Sequence, residues 1–556
     1  MKRVLRILLL LILLALAAVG GYFFIETDNT QEELFAFVPT DFIYAIESNE
    51  PVKDWQNLSK TEIWQFLKGS PYFAEVSENA DYLDSLLNAN STLVDFVELG
   101  NMVISSHMIS RQDYDFVILV DLLGKGRKLT KLDPVMVKLF ESLEYQVSKE
   151  NYINNPIYNL YDPATKETLS ISVVANVMIA SYTKNLVKKA IMQSGNSSIT
   201  TNQDFYTVRE NTDRDDLYTM YLNYSNFNSF IGAYTTEIPD LMADFQEVLA
   251  FSGFDLHLDD ESAEFEGYTK QLDSAQSYLN VYKEVGQGRI NAHKVLPSST
   301  AMYSSIGFDD FSELYRRFVD YSDATDPEAH EEMQKNIRRV EKLLKINFEE
   351  DFFAWMTEEV STAVVPVPDR NNQYSYLALM HFDDYQLAKE KLDFLMKQVK
   401  KRTPVKFKVH EYRGYEINYL ALKGFFKLFF KRLFSRIEQP HFTIIDEYVV
   451  FSNDTTSLQY VIQSYLEQNT LDENDNFQVF WDNFESKANI HTYLQTEPLF
   501  NFVKSNLDYE ARKDIEEDKP FVMSFPQLGF QMYPGEGMYK TYLYGEHKSV
   551  EAEVVP

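Results

Sequence analysis

The chain has 556 residues, more than one hydrophobic core usually supports, and its 45% hydrophobic and 24% charged residues exclude a disordered or low-complexity protein. Because the sequence contains no cysteine, disulfides, cysteine-ligated metals and thiol catalysis are excluded. A net charge of −32 opposes binding to polyanions, so we expect no nucleic-acid partner for this acidic protein.

Residues 1–26 predict a membrane anchor. A basic start, Met1–Arg6, precedes an unbroken run of apolar and glycine residues, Ile7–Ile25. At about 1.5 Å per residue, this run is long enough to cross a hydrocarbon core of about 30 Å. Because the cations precede the run and acidic residues follow it, the positive-inside rule predicts a cytoplasmic N-terminus and an extracytoplasmic body. We therefore predict a single-pass transmembrane helix in the cell membrane.

A signal peptide is the alternative reading of the same segment. Ala15–Ala17 offers a small-residue cleavage site, but it lies inside the apolar run, and the apolar region of a signal peptide is normally shorter. We therefore expect an uncleaved signal-anchor. Either reading places the body outside the cytoplasm, in the cell envelope or periplasmic space.

Repeated patterns predict an internal duplication. The matched pairs are Tyr114–Val120 with Tyr374–Met380, Tyr152–Leu160 with Tyr412–Leu420, and Val177–Ser181 with Tyr448–Ser452. Because the matches follow one another in the same order, we predict two copies, residues 34–288 and 289–550. Runs of short strands interleaved with helices, without a regular βαβ period, predict that each copy is an α+β domain.

Each copy is predicted to follow the same plan. The predicted strands include Phe42–Ile46, Phe116–Leu122 and Val177–Ser181 in the first copy, and Ala301–Ile306, Tyr374–Phe382 and Tyr448–Ser452 in the second. Ala175–Asn176 and Asp446–Glu447 are predicted to be tight turns, and helices at Thr183–Gln193 and Thr455–Leu466 follow the strands. The polar residues 322–335 are predicted to form a loop that enters a helix over Lys335–Ile346.

Three stretches of sequence resemble a known family. They are FVPTDFIYAIES at residues 37–48, VLPSSTAMYSSIG at 295–307 and HFTIIDEYVVFSN at 441–453. Together with the N-terminal anchor, they resemble the bacterial domain-of-unknown-function family 3352. The resemblance implies an envelope location and a related fold, and it transfers no catalytic residue.

Motifs for catalysis or metal binding are not found in the sequence. Ser181-Tyr182-Thr183-Lys184 satisfies Ser-x-x-Lys, but its partner motifs are absent, so we interpret it as a strand-to-helix cap. The nine histidines are scattered without a metal-binding spacing. We therefore predict no catalytic, cofactor-binding or metal-binding residues, no cofactor and no enzymatic activity.

One basic and aromatic segment lies in an insertion of the second copy, residues 421–440. Its candidate contact residues for a membrane or partner are Lys423, Phe425, Phe426, Lys427, Phe429, Phe430, Lys431, Arg432, Leu433, Phe434 and Arg436. On a helix over Lys423–Ile437 the apolar side chains fill one half of the circumference, and Lys427 and Lys431 lie opposite. Two interpretations stay open: an interfacial helix, or a helix that caps the sheet of the second copy and buries its rings.

These features favour a binding or scaffolding module of the bacterial cell envelope, whose partners are the membrane and an envelope protein, lipid or wall polymer. A carrier that shields an apolar or lipid ligand between two lobes is the alternative, and it would require a large apolar cavity. An envelope hydrolase is less expected, because it would require convergent acidic and histidine side chains in a cleft.

Overall fold

The computed structural model describes residues 33–68, 100–111, 113–123, 137, 141, 145–194, 198–213, 217–234, 248–272, 278–367, 373–402, 409–420, 422, 424–429, 434, 436–507, 512–513, 515–516 and 519–548. The chain divides into two compact units, Met1–Leu272 and Asp273–Pro556. The predicted anchor, residues 1–26, lies outside the described residues. Within the described part of the chain, no helix is both long and apolar enough to span a bilayer.

The described residues of the first unit include ten antiparallel strands. These are β1 Tyr44–Ser48, β2 Met102–Met108, β3 Tyr114–Asp121, β4 Gln146–Tyr152, β5 Asn155–Asp162, β6 Glu167–Val174, β7 Val177–Ser181, β8 Tyr218–Asn223, β9 Leu249–Leu258 and β10 Ser262–Gln271. Their order across the sheet is β4-β5-β6-β7-β3-β2-β1-β8-β9-β10. The first strand therefore lies inside the sheet, between β2 and β8.

The first unit also contains helices, two of which pack on this sheet. The helices are α1 Pro51–Leu58, α2 Glu62–Leu67, α3 Lys184–Gln193, α4 Gln203–Asn211 and α5 Phe227–Tyr234, with short 3-10 helices at Leu34–Ala36, Ile199–Thr201 and Tyr224–Asn226. Helix α3 packs on β3, β6 and β7, and α4 packs on β9 and β10. Because β strands alternate their side chains between two faces, the apolar residues on one face can meet the apolar side of these helices.

In the second unit the described residues form ten antiparallel strands of a large sheet and a separate two-stranded ribbon. The strands are β11 Gly288–Arg289, β12 Met302–Gly307, β13 Glu359–Pro366, β14 Tyr374–His381, β15 His410–Tyr412, β16 Tyr415–Tyr419, β17 His441–Ile445, β18 Tyr448–Ser452, β19 Lys487–Ala488, β20 Ile490–Gln495, β21 Gln527–Pro534 and β22 Tyr539–Glu546. The large sheet has the order β15-β16-β17-β18-β14-β13-β12-β20-β21-β22. Strand for strand, this is the order of the first sheet.

The helices of the second unit are α6 Leu279–Tyr282, α7 Phe311–Thr325, α8 Pro327–Leu344, α9 Tyr385–Arg402, α10 Thr455–Leu466, α11 Asp475–Trp481, α12 Thr496–Asn506 and α13 Lys519–Met523, with 3-10 helices at Ala292–Lys294 and Phe425–Leu428 and a π-helix at Glu349–Phe353. The longest of the described helices are α7, α8 and α9. One buried cluster joins α10 and α11 to the sheet, and it includes Leu458, Val461, Phe477, Tyr493 and Val450. This cluster is the core of the second unit on that face of the sheet.

Several predicted elements are confirmed, and so is the α+β class. The strands at Val177–Ser181 and Tyr448–Ser452 occur at the predicted residues. The two predicted tight turns begin with Ala175 and Asp446, whose φ angles are 54° and 50°. The bounds 34–288 and 289–550 stay predictions.

The predicted loop at residues 322–335 is wrong. Helix α7 runs to Thr325, and α8 begins at Pro327, with Asp326 between them. The Asp326 carboxylate accepts a hydrogen bond from the Ala329 N–H at 3.0 Å, so it caps the new helix, and Pro327 fits the first helical position because it needs no hydrogen bond there. Asp326 is thus the N-cap residue of α8 and not part of a long loop.

Candidate functional site

The basic and aromatic segment of the second unit does not form the predicted amphipathic helix. Its described residues contain one short 3-10 helix, Phe425–Leu428. Gly424 precedes this helix with a left-handed φ of 70°, and Phe429 follows it with a φ of −120°. Because neither residue has helical backbone angles, the prediction of one continuous helix over Lys423–Ile437 is wrong.

Four of the predicted contact rings are buried. The exposed fractions are 1% for Phe425, 0% for Phe426, 9% for Phe429 and 1% for Phe434. The rings pack in edge-to-face and tilted pairs, such as Phe425 with Phe352 at 4.8 Å, Phe429 with Phe348 at 4.6 Å, and Phe426 with Phe451 of β18 at 5.0 Å between centroids. These four rings therefore belong to the core of the second unit and cannot touch a membrane, which corrects the prediction for them.

Of the seven remaining candidate contact residues, only Arg436 has a described side chain. Arg436 is exposed, and its guanidinium carbon lies 5.7 Å from the centre of the Tyr376 ring. The side chains of Lys423, Lys427, Phe430, Lys431, Arg432 and Leu433 lie outside the described residues. Contact of these residues with a membrane or partner stays a prediction.

A second polar arrangement lies in the first unit. The His107 imidazole lies between Ser105 and Asp41: its Nε2 is 2.9 Å from the Ser105 Oγ, and its Nδ1 is 3.1 Å from an Asp41 carboxylate oxygen. Ser105 and His107 are two residues apart on β2, so their side chains leave the same face of the sheet. The Lys189 ammonium of α3 donates to the other Asp41 oxygen at 2.6 Å. We call Ser105, His107 and Asp41 the first-unit relay.

Electrostatics assign the protons of the first-unit relay. The hydrogen bond from His107, with a further contribution from Lys189, holds the pKa of Asp41 well below its usual range, against the opposing effect of burial. Burial lowers the pKa of His107 although Asp41 opposes this. At neutral pH the imidazole is therefore neutral, its Nδ1–H donates to the Asp41 carboxylate, and its Nε2 accepts from the Ser105 hydroxyl.

This proton arrangement is the one that a serine nucleophile needs, but a substrate has no access to the Ser105 hydroxyl. In a hydrolase the histidine removes the serine proton while the serine attacks a bound substrate. Here both Ser105 and His107 are 0% exposed. A substrate cannot reach the hydroxyl in this conformation, so the first-unit relay links β2 to Asp41 and α3 rather than presenting a nucleophile.

The second unit buries a carboxylate at a different place. Glu359 at the start of β13 is 0% exposed. Its Oε1 accepts hydrogen bonds from Ser305 and Ser361, and its Oε2 accepts from the Asn291 N–H at 2.8 Å and from the Tyr448 hydroxyl. Burial raises the pKa of Tyr448 well above its usual value, so that hydroxyl stays protonated and keeps donating. We call this arrangement the second-unit carboxylate cluster.

One histidine beside the second-unit carboxylate cluster has no such partners. His491 of β20 is the register partner of Ser305, and it is 0% exposed. Its ring lies against Trp481 and Phe484, at 4.8 and 5.3 Å between centroids. Neither ring nitrogen has a hydrogen-bond partner among the described residues. Burial lowers the pKa of His491 to about 3, so the ring is neutral at physiological pH.

Neither polar group suggests a metal centre. In the part of the chain that the structure describes, no three His, Asp or Glu side chains are placed to hold one metal ion. The carboxylate oxygens of Glu359 are both engaged by hydroxyl and amide donors. The two groups are therefore internal hydrogen-bond networks.

Sequence reasoning did not single out either network. The alternation of β2 could have shown that Ser105 and His107 share a face, but Asp41 reaches them only through tertiary contact. Glu359 could have been noticed as a charged residue that begins an apolar strand. In both cases the partners are far apart in sequence, so spacing alone carries no signal.

We expect His107 to make stability depend on pH. Because its folded pKa lies below the usual value of about 6.5, the unfolded chain binds more protons just below that pH, and stability falls as the pH drops through this window. The depressed pKa of Asp41 adds a second loss below about pH 4, its usual range. The free energy of unfolding, measured with urea, should therefore change less for H107N than for the wild type between about pH 7 and about pH 5. Equal slopes for the two proteins would contradict this assignment.

Replacement of His491 by Phe should stabilise the second unit. The aromatic substitution removes two buried nitrogens without partners, whose desolvation costs about 1–3 kcal/mol, and the gain should grow at about pH 5 because the wild-type ring resists protonation. The control is H410F, since His410 is exposed. Urea unfolding measures both. A loss of stability in H491F would show that the ring binds a group that the described residues do not supply, such as a buried water.

Comparison with known proteins identifies one relationship. A family model described as a protein of unknown function (DUF3352) matches residues 130–538, which include parts of both units. Comparison with curated proteins and with solved structures gives no match. Because the family model matches more than half of the 556 residues, this chain belongs to the DUF3352 family.

Proposed function

We propose that this chain is a binding or scaffolding module of the bacterial cell envelope, held at the cell membrane by its N-terminal segment. The observation that carries the proposal is the apolar run Ile7–Ile25, flanked by cations before it and acidic residues after it. This arrangement favours one membrane pass, a cytoplasmic N-terminus and an extracytoplasmic body. The body then meets an envelope protein, a lipid or a wall polymer.

The two internal networks present no catalytic group to a substrate in this conformation. A catalytic acid or base must reach its substrate within hydrogen-bond distance. Ser105, His107 and Glu359 are each fully buried, and their polar atoms are used within the protein. No feature of the described residues favours the hydrolase or the carrier alternative over the binding module.

We also propose that the two units are copies of one ancestral domain. The ten strands of each large sheet follow the same order. The register agrees as well: β2 pairs Ser105 with Ala45 and Val117, and β13 pairs Ala363 with the corresponding Tyr303 and Leu377. Agreement in both order and register supports duplication more strongly than a shared fold class does.

The anchor can be tested on the full-length protein in its own envelope. We expect the protein to stay in the membrane pellet after alkaline carbonate extraction and to keep the Met1–Arg6 peptide in mass spectrometry. The variant L13R/L14R places two charges at the middle of the apolar run, where each costs about 3 kcal/mol, so it should leave the membrane fraction.

The control for the anchor experiment is L5R, which adds a cation to the basic flank and should not change fractionation. A mature N-terminus just after Ala17 would mean that the segment is a cleaved signal peptide, and the proposed anchoring would be wrong. Loss of the wild-type protein from the carbonate pellet would contradict it in the same way.

A binding role predicts a defined partner in the envelope. Intact cells are treated with a crosslinker, and the full-length protein is captured under denaturing conditions. We expect one discrete crosslinked species that is absent for L13R/L14R, because that variant does not reach the membrane. A protein, a lipid and a wall polymer are told apart by digestion with protease, lipase or muramidase. Wild-type protein that gives the same pattern as L13R/L14R would count against the binding role.

A further inference from the structure

An exposed basic face lies on the second half of α8. Its members are Lys335, Arg338, Arg339 and Lys342, and all four side chains are exposed. At 3.6 residues per turn they fall within about 100° of the helix circumference. The buried residues Ile337 and Leu344 lie on the opposite side. This face is defined by its four cations, and we call it the α8 basic face.

The α8 basic face is only partly neutralised by the protein itself, because Glu331, the partner of Lys335, also interacts electrostatically with Arg338. Lys335 pairs with Glu331 at 2.7 Å. Arg338, Arg339 and Lys342 have no ion pair within 4 Å among the described residues, although the chain carries 84 acidic residues against 52 basic ones. The favourable position of cations near a helix C-terminus explains some of this clustering. It does not explain why Arg339 and Lys342 lack a carboxylate partner among the described residues of a protein with an acidic excess.

Two later elements of the second unit pack on α8. Helix α8 packs against α9, whose last turn contains Lys400, Lys401 and Arg402. Lys400 and Lys401 are exposed. Helix α8 also packs against the turn Phe425–Leu428, which lies within the basic and aromatic segment.

An apolar side chain borders the α8 basic face. Leu343, next to Lys342, is 56% exposed. A polyanion such as a wall polymer would use the cations but would gain nothing from this leucine. An anionic bilayer uses both, because phosphate groups attract the cations while the interfacial region accepts an aliphatic side chain.

We propose that the α8 basic face, with Leu343, docks on the surface of an anionic phospholipid bilayer. This inference deepens the proposed function and rests on it, because the anchor would hold the second unit near the bilayer. Docking would orient the acidic body so that its basic face points toward the lipid. The surface requires none of the four buried phenylalanine rings of the basic and aromatic segment.

The test uses the full-length chain reconstituted in vesicles. Since the sequence contains no cysteine, L343C gives a single thiol for an environment-sensitive fluorophore. The matched control is V479C, because Val479 of α11 is 71% exposed and belongs to the same unit. Vesicles are phosphatidylcholine alone, or equal parts phosphatidylcholine and phosphatidylglycerol. Co-flotation with both vesicle types reports the anchor, and the emission spectrum reports docking.

We expect the label at position 343 to shift to shorter wavelength only in vesicles that contain phosphatidylglycerol. The shift should disappear at about 1 M salt, where the Debye length is about 3 Å. R338Q/R339Q/K342Q, made in the L343C chain, should lose most of the shift. K487Q/R512Q/K513Q neutralises three exposed cations elsewhere in the unit and should keep it. Thermal unfolding should be nearly equal for both triple variants.

Several results would overturn the docking surface. One is an equal spectrum at position 343 in both vesicle types, and another is a shift that R338Q/R339Q/K342Q retains. A shift that grows with the ratio of protein to lipid would assign the face to contact between copies of the chain and would also overturn bilayer docking. Failure to co-float with phosphatidylcholine vesicles would instead count against the anchor.

Discussion

A carboxylate without any exposed surface is the strongest constraint on the second unit. Removing Glu359 from water is costly unless its oxygens are matched by donors, and a donor that is missing leaves most of that cost unrecovered. Ser305 comes from β12, Ser361 from β13, Tyr448 from β18 and the Asn291 N–H from the segment before the sheet. A shift of one residue in the register of these strands would turn the donors to the other face. The second-unit carboxylate cluster therefore selects one register for the middle of the sheet.

The two large sheets share strand order and register, but they do not have the same polar side chains at matching positions. Where β2 has Ser105 and His107, the register of the second sheet has Ala363 and Val365, both buried. Since aliphatic side chains fill these positions in the second unit, this arrangement of strands does not require polar side chains there. The first-unit relay is thus a local property of its own unit. The two units thus differ inside their cores although the order of their strands is the same.

Local signals explain which parts of the fold were predictable. Strands such as Val177–Ser181 are short apolar runs next to tight turns, and those signals lie within a few residues of each other. The prediction of a helix over Lys423–Ile437 is wrong because its rings pack on Phe348 and Phe352, which lie more than 60 residues earlier in the chain. An amphipathic pattern states that rings must be covered, and it does not state what covers them. The two internal networks were missed for the same reason.

The interior position of β1 has a consequence for the biogenesis of this protein. Strand β1 bonds to β2 on one edge, but its other edge pairs with β8, which begins only at Tyr218. A chain that emerges from the ribosome N-terminus first must wait for that distant partner, with a row of unpaired backbone groups open to other chains. Strand β12 waits in the same way for β20, which begins at Ile490. Each unit can complete the pairing of its first central strand only near the end of its own synthesis. The unpaired strand edge of the nascent chain is therefore exposed to other chains twice, once for β1 and once for β12.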